Sequence, residues 1–293
     1  MPRVKEVIKR VRKIEIKTRG LVEGLVSGEY HSVFKGRGIE FSEVREYIPG
    51  DDVRAIDWWV TARLNAPFVK EFIEERDLTL FIVFDISSSN EFGFERSKKE
   101  IGYDIAASLM FAALRNNDRV GMCLFTSEVE LFIPPGKGKR HILKLLRELI
   151  YYEPKNKITD IQTALDYLNN LIKKRSIIFI ISDFLSPDFE RPLKQLKNKH
   201  DVILVDIADV REAHIPDIGY AFLEDHETGD QMLVDTSDLE FRERYTALVK
   251  AKRDDLLARM KRIEVDIIQI NTNEPFYIPL QRFFMMRERR VRG

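Results

Sequence analysis

Cysteine is almost missing from this 293-residue sequence: Cys123 is the only one. No disulfide can form within the chain, and a reducing compartment is the natural setting. Cys123 lies inside the apolar run RVGMCLF, where it reads as a small buried hydrophobe and not as a nucleophile. Long apolar runs are missing too. None approaches the roughly 18 residues that a bilayer crossing needs, and the start has no apolar core of the kind a secretory leader carries. A cytoplasmic protein without a membrane span is expected. Net charge is absent as well, because 48 Lys and Arg balance 48 Asp and Glu. Global charge therefore argues neither for nor against a nucleic-acid partner, but no recognised nucleic-acid module is present, and none is expected as a partner. Internal repeats and low-complexity segments are also lacking.

What is present is ordinary for a folded protein: 44% hydrophobic residues, with charged residues high at 33%. Three zones follow from the pattern. Residues 1–76 form an N-terminal extension. It begins with Val4, Val7, Ile8, Val11 and Ile14 at helical spacing among basic residues. In the stretch that follows, Gly28, Gly36, Gly38, Pro49, Gly50 and Pro67 break regular structure often. There YIPGDD reads as a turn with Asp at a helix start, VRAIDWW as one or two helical turns, and PFVKEFIEE as extended. Asp51, Asp52, Arg54 and Asp57 are expected to pair internally while Trp58 and Trp59 bury against a sheet. That makes the run a conformation-fixing element; a partner-recognition surface is the alternative.

Residues 77–272 have a clear rhythm of strands and helices. LTLFIVFDI, RVGMCLFTS, EVELFIPP, RSIIFIISDF, HDVILVDIAD and EVDIIQIN read as strands. Long amphipathic helices separate them, and IGYAFLED and DQMLVD read as two further short strands. Strands that are apolar throughout imply a mostly parallel sheet covered on both faces. A tight turn at Thr126–Glu128 makes one strand antiparallel at an edge. The expected class is a doubly wound α/β fold, with ligands at the carboxyl ends of its strands. Residues 273–293 form a basic, aromatic C-terminal tail. It either packs back through Phe276, Tyr277 and Phe283 or serves as a partner-binding segment. The basic runs at both ends read as solvated faces, with an anionic partner surface as the alternative.

One oxygen-rich constellation stands out. Asp85, Ser87 and Ser89 follow the first apolar strand in DISSSN, and Asp183 follows a later one in FIISDF. Both fall on the same edge of a parallel sheet. Between them in sequence, NKITDIQTAL places Thr159 and Asp160 at a helix start. Each piece alone has an ordinary reading as a turn or a helix cap. Together they offer two carboxylates and several hydroxyls without His or Cys. All-oxygen donors suit a hard cation such as Mg²⁺. The set cannot fill six positions, so it leaves room for water or a carboxylate from another molecule.

These residues resemble the metal-ion-dependent adhesion site of von Willebrand factor A domains. The resemblance implies Asp85, Ser87, Ser89, Thr159 and Asp183 around Mg²⁺ or Mn²⁺, with a partner's Glu or Asp completing the shell. Two positions depart from the pattern. Asn156, Lys157 and Ile158 precede Thr159 where glycines are common, and Phe184 follows Asp183 where a small residue is common. Upstream, KGRGIEFSEVREYIPGDDVRAIDWWVTARLNAPFVKEF resembles the signature of the domain-of-unknown-function family 58. Its specific part is Pro49, Gly50, Asp51, Asp52, Arg54, Ile56, Asp57 and Trp58. That resemblance implies a von Willebrand factor A-like domain and a partnership with an AAA+ ATPase of the MoxR class.

The expected function is a non-enzymatic interaction module. A metal-bearing edge would grip an acidic residue of a client, and the protein would work as an adaptor in ATPase-driven assembly or remodelling. The alternative is a metal-dependent phosphohydrolase using Asp85 as nucleophile. Against it, DISSS has no second acid two residues on and no phosphate-cradling glycine loop follows.

Overall fold

A computed structural model describes residues 39–74, 78–88, 97–186, 188–224 and 230–292. The helical pattern of Val4 to Ile14 lies outside the described residues, as does Ser89. The chain divides into two compact units, one of them Lys35–Asp77 and the other containing Leu78–Gly293.

In the smaller unit, β1 (Ile39–Glu46) pairs antiparallel with β2 (Phe68–Glu74). A 3-10 turn at Val53–Ala55 and a short helix α1 (Trp58–Leu64) connect them. The acids of this connection are used on local geometry. Asp51 accepts both guanidinium nitrogens of Arg45, at 2.7 and 2.8 Å, and the amide of Ile48 at 2.9 Å. Those bonds, the Arg45 pair foremost, hold the Asp51 carboxyl down at about 2. Asp52 caps the 3-10 turn through the Arg54 amide, and Asp57 caps α1 through the amides of Trp59 and Val60. The two tryptophans depart from expectation: Trp58 is 68% and Trp59 85% exposed. The physical reason is that α1 is a short helix, capped at its first turn, that buries none of its residues.

The larger unit is built on a six-stranded sheet. Its strands are β3 (Thr79–Asp85), β4 (Arg119–Phe125), β5 (Val129–Gly136), β6 (Ile177–Ser182), β7 (Asp201–Ala208) and β10 (Asp266–Asn271). They run in the order β10-β7-β6-β3-β4-β5. Every pairing is parallel except β4 with β5, which a tight turn joins through Thr126 N–H to Glu128 C=O. The antiparallel strand therefore lies at an edge, as the sequence pattern predicts. Strands β8 (Tyr220–Glu224) and β9 (Gln231–Asp235) form a separate antiparallel pair.

Alternate residues of each central strand feed two hydrophobic cores. Leu80, Ile82, Phe84, Phe179 and Ile203 pack on one face, against α2 (Lys98–Arg115), α3 (Lys139–Tyr151) and α8 (Tyr277–Arg292). Phe81, Val83, Ile180 and Leu204 pack on the other, against α4 (Ile161–Leu171), α5 (Glu190–Lys199) and α7 (Leu239–Arg262). Burial on both faces is why these strands read as unbroken apolar runs. Cys123 is fully buried on β4, and burial pushes its thiol up to about 12.

The C-terminal segment packs back on the sheet. Phe276, Leu280, Phe283 and Phe284 are buried in the first core, whereas Tyr277 stays exposed. Part of the terminal basic charge is answered within the fold. Arg287 pairs with Asp201 at 2.5 Å and Asp266 at 2.9 Å, and Arg290 pairs with Asp266 at 3.3 Å. Among the described residues, no helix is long and apolar enough to cross a membrane.

Candidate functional site

Strand order fixes where a ligand crevice should open. From β3 the chain moves to β4 and β5 on one side, then returns to β6 on the other. The reversal falls between β3 and β6, and their carboxyl ends bound the crevice. Phe84 pairs with Ile181, so the next residues, Asp85 and Ser182, come level. Ser182 Oγ donates to Asp85 Oδ2 at 2.7 Å. The other carboxylate oxygen, Oδ1, accepts the Ser87 amide at 2.9 Å, which closes the tight turn after β3.

Thr159 reaches this turn from a distant part of the sequence. Its hydroxyl donates to Ser87 Oγ at 2.7 Å. Backbone contacts fix the Thr159 loop on two sides: Ser88 N–H of the turn after β3 donates to Lys157 C=O at 3.1 Å, and Asp160 N–H donates to Thr126 C=O of the β4–β5 turn at 3.0 Å. Glu130 on β5 secures the approach. Its carboxylate accepts from the Lys155 amide at 3.0 Å, the Asn156 amide at 3.2 Å and Thr126 Oγ1 at 2.8 Å. Asp160 is the N-cap of α4, bonded to the amide and hydroxyl of Thr163. Asp160 is therefore spent on the cap, and Thr159 is the residue of this pair that meets the turn after β3.

Asp183 follows β6 directly and is 7% exposed. Its principal partner is one the sequence pattern did not flag. Lys98, 1% exposed at the first position of α2, donates to Asp183 Oδ2 at 2.8 Å. The same ammonium donates to Glu212 Oε1 at 2.5 Å, on the short helix α6 (Val210–Ala213) after β7. Further along the same rim, Asp206 on β7 is 2% exposed and pairs with Arg253 of α7 at 3.0 Å.

The electrostatics follow from burial. Asp85 is wholly buried, and loss of solvent, followed by the repulsion of Asp183, pushes its carboxyl up to about 6 against the hydrogen bonds it accepts. Burial likewise lifts Asp206 to about 6, with Arg253 opposing. Burial pulls the Lys98 ammonium down, but Asp183 and Glu212 outweigh it, and the net direction is upward. Lys98 is therefore charged at neutral pH.

Phe184 adopts a left-handed backbone, with φ of 53°. For a bulky residue that conformation is strained. Its side chain is buried beside Phe189, with ring centroids 5.8 Å apart, and its amide donates to Ser182 Oγ at 3.2 Å. Packing in the core thus holds the strained turn that carries Asp183.

Of the residues singled out from sequence, Asp85, Ser87 and Thr159 are joined by hydrogen bonds, and Asp183 lies close enough to Asp85 to shift its ionisation. Ser89 lies outside the described residues. Among the described residues, no group of three or more His, Cys, Asp and Glu could hold a metal ion. A donor set of two carboxylates and hydroxyls is a different chemistry, and the residues fit a hard cation in one respect. Two close, buried carboxylates repel each other, and a cation between them would relieve that repulsion. Asp85, Ser87, Thr159 and Asp183 are the residues that would hold one.

Comparison with known proteins adds a family. The model described as "Protein of unknown function DUF58" matches residues 43–255. The Mycobacterium tuberculosis protein Rv1480 is 29% identical over 283 residues, covering 95% of this chain and 89% of its own length. YeaD of Bacillus subtilis is 32% identical over 108 residues, covering 37% of this chain and 25% of its own. Among solved structures, the conserved hypothetical protein BatB from Bacteroides thetaiotaomicron covers 73% of this chain and 98% of its own, at 16% identity and a TM-score of 0.47.

Proposed function

The chain belongs to the DUF58 family, and we propose that it is a non-enzymatic protein-interaction module with a von Willebrand factor A-like metal site. The observation that carries this reading is the oxygen-rich cluster at the carboxyl ends of β3 and β6, where the strand order reverses. There Asp85, Ser87 and Thr159 are linked by hydrogen bonds and Asp183 stands beside them, with no imidazole or thiol in the set. When bound, Mg²⁺ or Mn²⁺ would supply an electrophilic position for a carboxylate of another protein. The chain's own residues do the rest. Ser182 and the Ser87 amide orient the Asp85 carboxylate, and Glu130 fixes the loop that delivers Thr159. Asp85 has both oxygens engaged and is wholly buried, which suits a fixed ligand better than a nucleophile that must attack phosphorus.

The partner that this reading assigns is an AAA+ ATPase of the MoxR class, with the protein acting as adaptor to a client presenting an acidic residue. The support is the PGDD-x-R-x-IDW run, in which Asp51, Asp52 and Asp57 build a fixed connection while Trp58 and Trp59 stand exposed. Isothermal titration with Mg²⁺ and Mn²⁺ tests the metal: binding is expected in the wild type and its loss in Asp85→Ala. An unchanged affinity in that variant refutes the site. Pull-down of a co-encoded ATPase in several nucleotide states tests the partner, and capture in none of them refutes it. A phosphatase screen with metal is expected to show no turnover.

A further inference from the structure

Lys98 is an improbable place for a positive charge. Its side chain has no exposure to solvent. Removing an ammonium from water costs several kcal/mol. It also stands in the first turn of α2, an 18-residue helix whose amino end is itself positive. Only a strong local demand for positive charge explains it, and the rim supplies that demand. Asp85, Asp183, Asp206, Asp209 and Glu212 crowd the carboxyl ends of β3, β6 and β7, and all but Glu212 are at most 7% exposed. Arg253 answers Asp206. Lys98 answers Asp183 and Glu212.

Both of its carboxylate partners are anchored. Asp183 Oδ1 accepts the Leu185 amide at 3.4 Å, and Glu212 Oε2 accepts the Asp209 amide at 3.2 Å. Asp209 in turn accepts Thr272 Oγ1 at 2.6 Å, at the end of β10. The ammonium therefore bridges the loop after β6, which carries a proposed metal ligand, to the loop after β7, which does not.

Resting on the metal-site reading above, we infer that Lys98 is a tethered counter-ion that competes with a divalent cation for Asp183 and couples occupancy of the site to Glu212. Without a metal the ammonium neutralises Asp183 and limits its repulsion of Asp85. Were Asp85 and Asp183 to hold a divalent cation, the Lys98 ammonium would face it as a like charge and would give up Asp183. Lys98 would then be left to Glu212, and the tie between the two loops would be cut. Affinity at the site is thus set low by the protein itself, and binding is reported along the rim to α6. Lys98 and Glu212 act here as positioning residues, through charge and not through contact with a ligand.

The test is titration of the full chain with Mg²⁺ and with Mn²⁺, read by calorimetry and by thermal shift, in wild type, K98M, E212Q and the double variant. K98M removes the competing charge and keeps the length of the side chain. It is expected to bind the cation roughly tenfold or more tightly and to melt lower than wild type in EDTA, with the loss recovered by Mn²⁺. E212Q is expected to weaken binding, because it commits the ammonium to Asp183, and that effect is expected to vanish in the K98M background. A lysine serving packing alone would lower the melting temperature without metal-specific recovery and without that coupling. If wild type binds and K98M binds equally, the competition is refuted while the site stands. If neither binds either ion, the site and the competition fall together. Should K98M not fold, E212Q alone decides, because unchanged affinity in that variant overturns the coupling.

Discussion

Removing the charge from Asp85 is expected to stabilise the metal-free protein, although a buried, hydrogen-bonded residue is being altered. The substitution is Asp85→Asn. The asparagine oxygen accepts the Ser87 amide as the carboxylate does at 2.9 Å, and its amide group donates to a Ser182 hydroxyl that turns to accept it. Shape and the bond from the Ser87 amide are kept while the repulsion from Asp183 disappears. The magnitude follows from linkage. Burial and Asp183 lift the carboxyl from 3.8 to about 6, and each tenfold gain in proton affinity is worth about 1.4 kcal/mol. The charged carboxylate thus costs the folded state on the order of 3 kcal/mol above pH 6. The sign is fixed by which state holds the proton. Between pH 3.8 and about 6 the folded protein binds it and the unfolded chain does not, so this cost fades as pH falls. Below that window both states are protonated, and Asp85 then behaves as the neutral asparagine does. Urea denaturation in EDTA at pH 7.5 and pH 4.5 measures the difference. Asp85→Asn is expected to be more stable by about 2–3 kcal/mol at the higher pH, with the gap largely closed at the lower. A variant less stable than wild type at pH 7.5, or a gap independent of pH, refutes this electrostatic account. Mn²⁺ is expected to reverse the order by stabilising only the wild type.

Two further outcomes concern the core. Phe284→Ala empties a fully buried position where α8 meets Phe179, and is expected to cost about 3–5 kcal/mol in denaturant unfolding. Cys123, with its thiol pushed up to about 12, is expected to resist an aromatic disulfide reagent in the native protein and to react only at the rate of global unfolding.

The strands of the larger unit were legible because both sheet faces are covered, which leaves runs such as IIFIIS unbroken by polar residues. The edge hairpin was legible from its short polar turn. That Asp85 and Asp183 share one rim followed from parallel strands alone, since every carboxyl end then lies on the same side. Lys98 was not legible. In SKKE nothing separates it from Lys99, and lysines beside a helix start ordinarily face water. Only the fold distinguishes the two, because it buries Lys98 and leaves Lys99 half-buried. Ser182 was passed over because it reads as the last residue of a strand, although its hydroxyl orients the first acid. Trp58 and Trp59 misled in the opposite sense, because apolar type predicts burial and α1 provides none.

The docking of α8 has a consequence for how the protein is made. The segment from Asp266 onward emerges from the ribosome after every strand and helix that it covers. Until then β7 is an open sheet edge, and Phe179 and Ile203 lack part of their apolar shell. Nascent chains stalled before that segment should be held by chaperones, and translation beyond it should set them free.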